Sequence, residues 1–229
     1  MAYSTAYFTA RESWRDWRIE AQSLIELARV TRGARVLEIG CGGGGLLRLL
    51  CERGARAVGV DSLGVALNLA RERETSVVWK PDGSELVRVG EDSALPLSDA
   101  VFDAIIAQHV IEHLPDVAAA LHEWQRVLRS PAPSEGKPGG RIALATPNAL
   151  YPDPAHFADA DHVHLFTPHE LRDTVQRVGF VGESCYTIFP FLSRLRALQA
   201  LGMIAYRVFQ HAPYFSTRGR TIVLSARKT

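Results

Sequence analysis

Five of the six residues from Gly40 to Gly45 are glycine, and the run lies between the apolar stretches Arg35–Ile39 and Leu46–Arg53. A chain with such a run there must make a sharp turn from strand to helix, because glycine alone takes left-handed backbone angles without steric cost. The turn leaves the first N–H groups of the following helix unpaired and lets a ligand come close to the backbone. Gly40, Gly42 and Gly45 also fit G-x-G-x-x-G, which taken alone suggests a dinucleotide. A tight turn with no ligand fits the same residues.

The rest of the chain alternates in the same sense. Residues 9–30 read as one helical segment, with apolar side chains at Trp14, Trp17, Ile19, Leu24, Ile25 and Leu27. Ala57–Val60 reads as a strand and Leu63–Glu74 as a helix. Val77–Lys80 and Leu86–Val89 read as a hairpin around Pro81-Asp82-Gly83 whose second arm is the third strand. Phe102–Ala107 is an apolar strand, Asp116–Leu128 a helix, Arg141–Ala145 a strand, Pro168–Val178 a helix and Thr221–Ser225 a late strand. Strands separated by helices of this length predict an α/β fold with a mainly parallel, doubly wound sheet covered on both faces.

Length and charge bound the rest. With 229 residues the chain is expected to be a single domain that buries a full core without a disulfide or metal staple. Cys41, Cys51 and Cys185 cannot all pair and show no zinc spacing, which fits a reducing, cytoplasmic setting. The N-terminus lacks the apolar core of a signal peptide, and no stretch approaches the roughly 20 apolar residues of a membrane span. A net charge of +1 argues against a general polyanion binder, so no nucleic-acid partner is expected. The balance hides an asymmetry: residues 191–229 hold seven Arg and Lys and no Asp or Glu.

Asp61 ends the stretch AVGVD, 21 residues after Gly40. In a nucleotide-binding α/β unit a carboxylate there accepts hydrogen bonds from both ribose hydroxyls. It would serve equally as the N-cap of the next helix, but Ser62 competes for that cap and leaves Asp61 freer for a ribose.

VLEIGCGGGG, AVGVD, GEDSALPLSDAVFDAII, QHVIEHLPD, KPGGRIALATPN and HLFTPHELRDTVQRVGF, in that order, resemble the successive motifs of class I S-adenosylmethionine-dependent methyltransferases. The resemblance runs from about Arg35 to Phe180 and implies a Rossmann-like seven-stranded sheet, mostly parallel with one antiparallel strand. It implies S-adenosyl-L-methionine as cofactor, lying across the strand C-termini. It places Gly40, Cys41 and Gly42 around the methionine portion and ribose, Asp61 on the ribose and Ser62 beside the adenine. Glu38 would order the glycine loop or meet the cofactor's amino end. Glu91 or Asp92 would meet the adenine amino group, and Gln108 and His109 would lie by the methionine moiety. Glu112 and His113 belong to the family's EHL signature, where capping and packing explain them as well as a ligand does. The usual RVLKPGG is split here by Ser130–Gly136, and the PDG hairpin is longer than the family norm. Both insertions fall on surface connections.

The acceptor side is less determined. Half of the eight histidines fall between His156 and His169, interleaved with Asp159 and Asp161. In an extended segment His162 and His164 face one side, where a neutral imidazole would serve as general base. The cluster would alternatively hold a divalent metal or simply pack; the base reading is carried forward with no metal assigned. No NPPY-type tetrapeptide follows the fourth strand, which lowers DNA and protein-glutamine methylation. A small-molecule acceptor methylated at a hydroxyl is therefore expected. A non-catalytic S-adenosylmethionine-binding protein, or an N- or C-methyltransferase for a lipid-linked or anionic acceptor, is the alternative. Residues 191–210 form a basic amphipathic stretch that reads as a helical insertion on the core, a lid, or a weak membrane-surface contact.

Overall fold

The computed structural model describes residues 4–13, 15–73, 86–89, 94–151, 161–190 and 215–229. Two helices, α1 (Thr5–Glu12) and α2 (Arg15–Leu27), precede the sheet. Then follow β1 (Arg35–Ile39), α3 (Gly45–Glu52), β2 (Arg56–Asp61), α4 (Gly64–Glu72), β3 (Leu86–Arg88) and β4 (Ala104–Gln108). The chain continues through α5 (Val117–Val127), β5 (Arg141–Pro147), α6 (Pro168–Arg177), β6 (Phe180–Pro190) and β7 (Gly219–Lys228). The seven strands stand in the order β3-β2-β1-β4-β5-β7-β6. All neighbours are parallel except β7, which runs antiparallel to both β5 and β6.

The central strands β1, β4 and β5 are buried on both faces because they are apolar at nearly every position. Leu37, Ile39, Ile105 and Ala107 face a cluster with Leu121, Trp124, Leu171 and Val175 of α5 and α6. Val36, Ala57, Ala104 and Ile106 face Leu24, Ile25, Leu47 and Leu50 of α2 and α3. Each such fully buried leucine or isoleucine contributes roughly 1.5–3 kcal/mol relative to exposure. Strand order reverses at β1, so β1 and β4 diverge to helices on opposite faces and leave a crevice beyond their C-terminal ends, where ligands of open α/β sheets bind.

Three expectations change. The helix read over 9–30 is two helices, α1 capped by the Ser4 hydroxyl and ended near Ser13. β6 was not foreseen from the residue pattern: Gly182 and Glu183 lie at a register shift between Gly182 and Ser184 that breaks its alternation. The late strand is longer, ten residues rather than five. The hairpin arm at 77–80 and the basic stretch 191–210 lie outside the described residues. Among the described residues no helix is long and apolar enough to cross a membrane.

Candidate active site

The glycine run is pinned where β1 and β2 end. Gly40 and Cys41 donate their N–H groups to Val60 O at 2.8 and 3.0 Å. Gly40, Gly42 and Gly44 take φ of +69°, +52° and +80°, angles that side chains disfavour. The Gly42 N–H donates to Asp61 Oδ2 at 2.8 Å, and the Leu63 N–H donates to Asp61 Oδ1 at 2.8 Å. Asp61 therefore ties the loop to the start of α4 and keeps lone pairs on both oxygens for a further donor. Ser62 does not take the cap; the N-cap residue is Leu63, whose side chain makes no capping bond. The aspartate wins because its carboxylate spans both N–H groups at once.

Acid surrounds this loop. Glu38 is 3% exposed, and its Oε2 has no hydrogen-bond partner. Burial pushes its carboxyl well above the usual range, and the charges of Asp61 and Glu12 add to that. Burial raises Asp61 too, against the N–H groups that it accepts. Glu12 comes from α1, a helix without a signal in the glycine motif. A Cβ added at Gly45 would lie 2.6 Å from Glu12 Cδ, and one at Gly42 would lie 3.1 Å from Phe8 Cδ1. Arg73 latches this helix down, donating to Glu12 Oε2 at 2.8 Å, Thr9 Oγ1 at 2.7 Å and Gly43 O at 3.2 Å.

Beyond β4 lies a second buried polar cluster. Gln108 donates from Nε2 to Glu20 Oε1 at 2.9 Å. His109, held at φ +55°, lies between Glu20 Oε1 at 2.8 Å from its Nε2 and Glu112 Oε1 at 3.1 Å from its Nδ1. The Thr146 hydroxyl donates to Glu112 Oε2 at 3.0 Å. Burial opposes charge on His109, but the two carboxylates overcome it and raise its pKa to about 9. Burial likewise opposes charge on Glu20, and His109 overrides it to bring that carboxyl down to about 2. Glu20 lies on α2, 88 residues from Gln108, and carries no motif of its own.

The stability of this clamp is pH-dependent. The His109 contribution is complete below its ordinary value of 6.5 and is lost as pH rises through about 9. The Glu20 contribution is complete above 4.5 and is lost as pH falls toward about 2. Glu20→Gln should cost about 3 kcal/mol near neutrality, since it removes one partner of a buried pair. It should also flatten the fall in Tm between neutral and alkaline pH. Thermal melts of both proteins across that range check this, and parallel alkaline slopes would exclude the clamp as their source.

The histidine segment docks on the same cluster. Val163 and His164 donate their N–H groups to Glu112 O at 2.9 and 3.0 Å. His164 Nε2 is buried with no hydrogen-bond partner. His113 Nδ1 bonds Asp161 O at 2.9 Å, and the His113 and His162 rings lie 4.9 Å apart. Glu112, His113 and His162 each offer one ligand atom within 4.8 Å of the others, close enough to share one ion. This trio differs from the cluster expected with Asp159 and Asp161: Asp161 contributes its carbonyl, and His156 and Asp159 lie outside the described residues. His169 stands apart at the surface, 3.1 Å from Asp173. Glu91 and Asp92 also lie outside the described residues.

Residues 37–132, from β1 through α5, match the family model described as a methyltransferase domain. These residues carry the sequence of a methyltransferase domain, on a fold shared with solved S-adenosylmethionine-dependent methyltransferases. The chain is 32% identical over 120 residues to a ubiquinone biosynthesis O-methyltransferase of Alkalilimnicola ehrlichii, covering 51% of this chain and 42% of that protein. It is 33% identical over 155 residues to the ubiquinone biosynthesis O-methyltransferase of Xanthomonas oryzae pv. oryzae strain PXO99A, covering 63% of this chain and 57% of that one. The chain thus spans about half the length of the curated relatives that it matches. A solved S-adenosylmethionine-dependent methyltransferase from Mesorhizobium loti shares the fold, with a TM-score of 0.66 at 19% identity, covering 95% of this chain and 99% of that one.

The residues around the glycine loop fit this family's cofactor. S-Adenosylmethionine carries a sulfonium, an ammonium and a ribose diol, all of which seek anions or acceptors. Glu38 with its unsatisfied oxygen, Asp61 with spare lone pairs and Glu12 beside the loop supply that chemistry.

Proposed function

We propose that this methyltransferase moves the methyl group of S-adenosylmethionine to a hydroxyl of a small-molecule acceptor. The observation that carries the reading is the buried, unsatisfied Glu38 carboxylate beside Asp61 at the switch point of the sheet. The cofactor supplies an electrophilic methyl bonded to a positive sulfur. The chain must then hold the acceptor in line, exclude water and take its proton. Gly40, Cys41 and Gly42 line the loop that would wrap the ligand, Asp61 would hold the ribose, and Ser62 borders the adenine side. Glu38 would meet the cationic amino end. Gln108 and His109 are bound to Glu20 and Glu112, so they shape the methionine side as one rigid charged block. The names of the relatives, O-methyltransferases of ubiquinone biosynthesis, support oxygen as the acceptor atom. His164, with Nε2 buried and unsatisfied, and His162 beside Glu112 support proton removal by an imidazole.

Asp61→Ala should weaken S-adenosylhomocysteine binding by roughly 1.5–3 kcal/mol, the worth of charge-assisted hydrogen bonds. Asp61→Asn, which keeps one acceptor for the loop, separates that loss from loosening of Gly42. Calorimetry checks both variants, and unchanged affinity in a folded Asp61→Ala protein would remove Asp61 from the site. Transfer of a labelled methyl group to a panel of hydroxyl, amine and carbon acceptors tests the reaction. Binding without transfer to any acceptor would favour a protein that only holds the cofactor.

A further inference from the structure

The opposite rim of the sheet, where the parallel strands begin, carries a different chemistry. Arg35 of β1 pairs in register with Arg56 of β2, and Arg141 of β5 with Arg227 of β7, so four strands present arginine along one edge. Beneath them lies a cavity of about 340 Å³ lined by Arg29, Arg32, Gly33, Asp103, Arg129 and Arg141 among others. Its volume falls at the lower end of the range for small-molecule sites. Of these four arginines, Arg129 pairs with Asp103 and Arg141 with Glu183, while Arg29 and Arg32 have no ion pair among the described residues.

The two paired arginines keep N–H groups beyond those that hold their carboxylates. Arg141 donates from Nε and Nη2 to Glu183 at 2.7 and 3.2 Å, which leaves Nη1 uncommitted. Arg129 donates from Nε to Asp103 at 2.9 Å and from Nη1 to Pro138 O at 2.7 Å, which leaves Nη2. Arg29 and Arg32 form no ion pair among the described residues; Arg29 feels Glu183 only at longer range. Arg29 sits at φ +52° just past α2, where its N–H donates to Glu26 O and the Val30 N–H donates to Ile25 O to close the helix. Gly33 lines the same wall at φ +81°, and a Cβ there would meet nothing within 4 Å. Arg29 and Gly33 line the same open space. Such placement is what a planar guanidinium fork needs to reach phosphate oxygens in pairs.

We propose that this arginine-lined cavity is a second binding site, which takes a diphosphate group of a small molecule. A monoanion would leave one of the two unpaired guanidinium groups unmatched, whereas a diphosphate brings two to three negative charges and oxygens enough for several guanidinium forks. The site stands at the far end of β1 from the glycine loop, about 13 Å away by strand rise, so it does not depend on the methyl-transfer reading.

Calorimetry on the full chain at low ionic strength tests this with inorganic pyrophosphate, ADP and orthophosphate as separate arms. Pyrophosphate should give saturable heat, with orthophosphate about tenfold weaker or more. Equal affinity for pyrophosphate and ADP identifies the phosphates alone as the recognised group; tighter ADP binding adds recognition of the nucleoside. Arg29→Ser and Arg32→Ser should each weaken pyrophosphate binding by about tenfold. Both leave S-adenosylhomocysteine affinity unchanged, since neither touches the glycine loop, and that binding also reports that the variants are folded. Heat that fails to saturate below about 1 mM pyrophosphate, or affinity retained in the double variant, overturns the proposal.

Discussion

Gly42→Val is expected to abolish cofactor binding while the sheet stays folded. Gly42 sits at φ +52°, and a Cβ there would meet Phe8 Cδ1 at 3.1 Å. A β-branched side chain suffers at that angle and must push either α1 or the ligand aside. Its own N–H also holds Asp61, so a shifted loop moves that carboxylate as well. The strain itself is worth only about 1–2 kcal/mol, too little to unfold a domain of this size. Gly33→Val supplies the control: φ is +81°, similarly strained, with nothing within 4 Å of the added Cβ. The two variants should melt at comparable temperatures, while only Gly42→Val loses S-adenosylhomocysteine in calorimetry. Equal binding by both would mean that the glycine run serves the turn and no ligand.

What was legible in the sequence follows from the range of the interactions. The glycine run and Asp61 belong to consecutive elements, β1 and β2, whose parallel pairing brings Ile39 opposite Val60. Local spacing therefore sufficed to place them. The residue types of Asp61 and Ser62 suit a cap equally, and only the contact of Asp61 with Gly42 and Leu63 together separates them. Phe8, Glu12 and Glu20 were invisible for the opposite reason. They enter the site from helices that precede the sheet, across tens of residues, and an apolar or acidic residue in an amphipathic helix looks the same whether it meets core, solvent or ligand. β6 escaped because its bulge at Gly182/Ser184 erases the period of two by which a strand is read. Of the histidine segment, His162 and His164 dock on Glu112 and His113 rather than on the adjacent aspartate side chains, and His169 stands apart.

Those neighbours sharpen the remaining prediction. If His162 or His164 takes the acceptor's proton, the alanine variant should lose roughly 10²–10⁴ in turnover with affinity for S-adenosylhomocysteine nearly intact. The parent's rate should then rise with pH and level off, the profile of a base that must be neutral to act. The clamped His109 cannot substitute, because both its ring nitrogens point at carboxylates that hold it charged. A metal held by Glu112, His113 and His162 would predict something else. The Nδ1 bond of His113 to Asp161 O is the kind of outer contact that orients a metal-ligating imidazole. In that account a chelator stops turnover, divalent ion restores it, and His113→Ala is as damaging as His162→Ala. His164→Ala then matters least, since its ring lies toward Phe166 at 5.9 Å and is no member of the trio. In the base account EDTA changes nothing, and the His113 variant keeps most of its rate. Full activity of all three variants with and without chelator would leave these histidines a packing role. Methyl transfer would then rest on alignment and on the acidity of the acceptor's own hydroxyl.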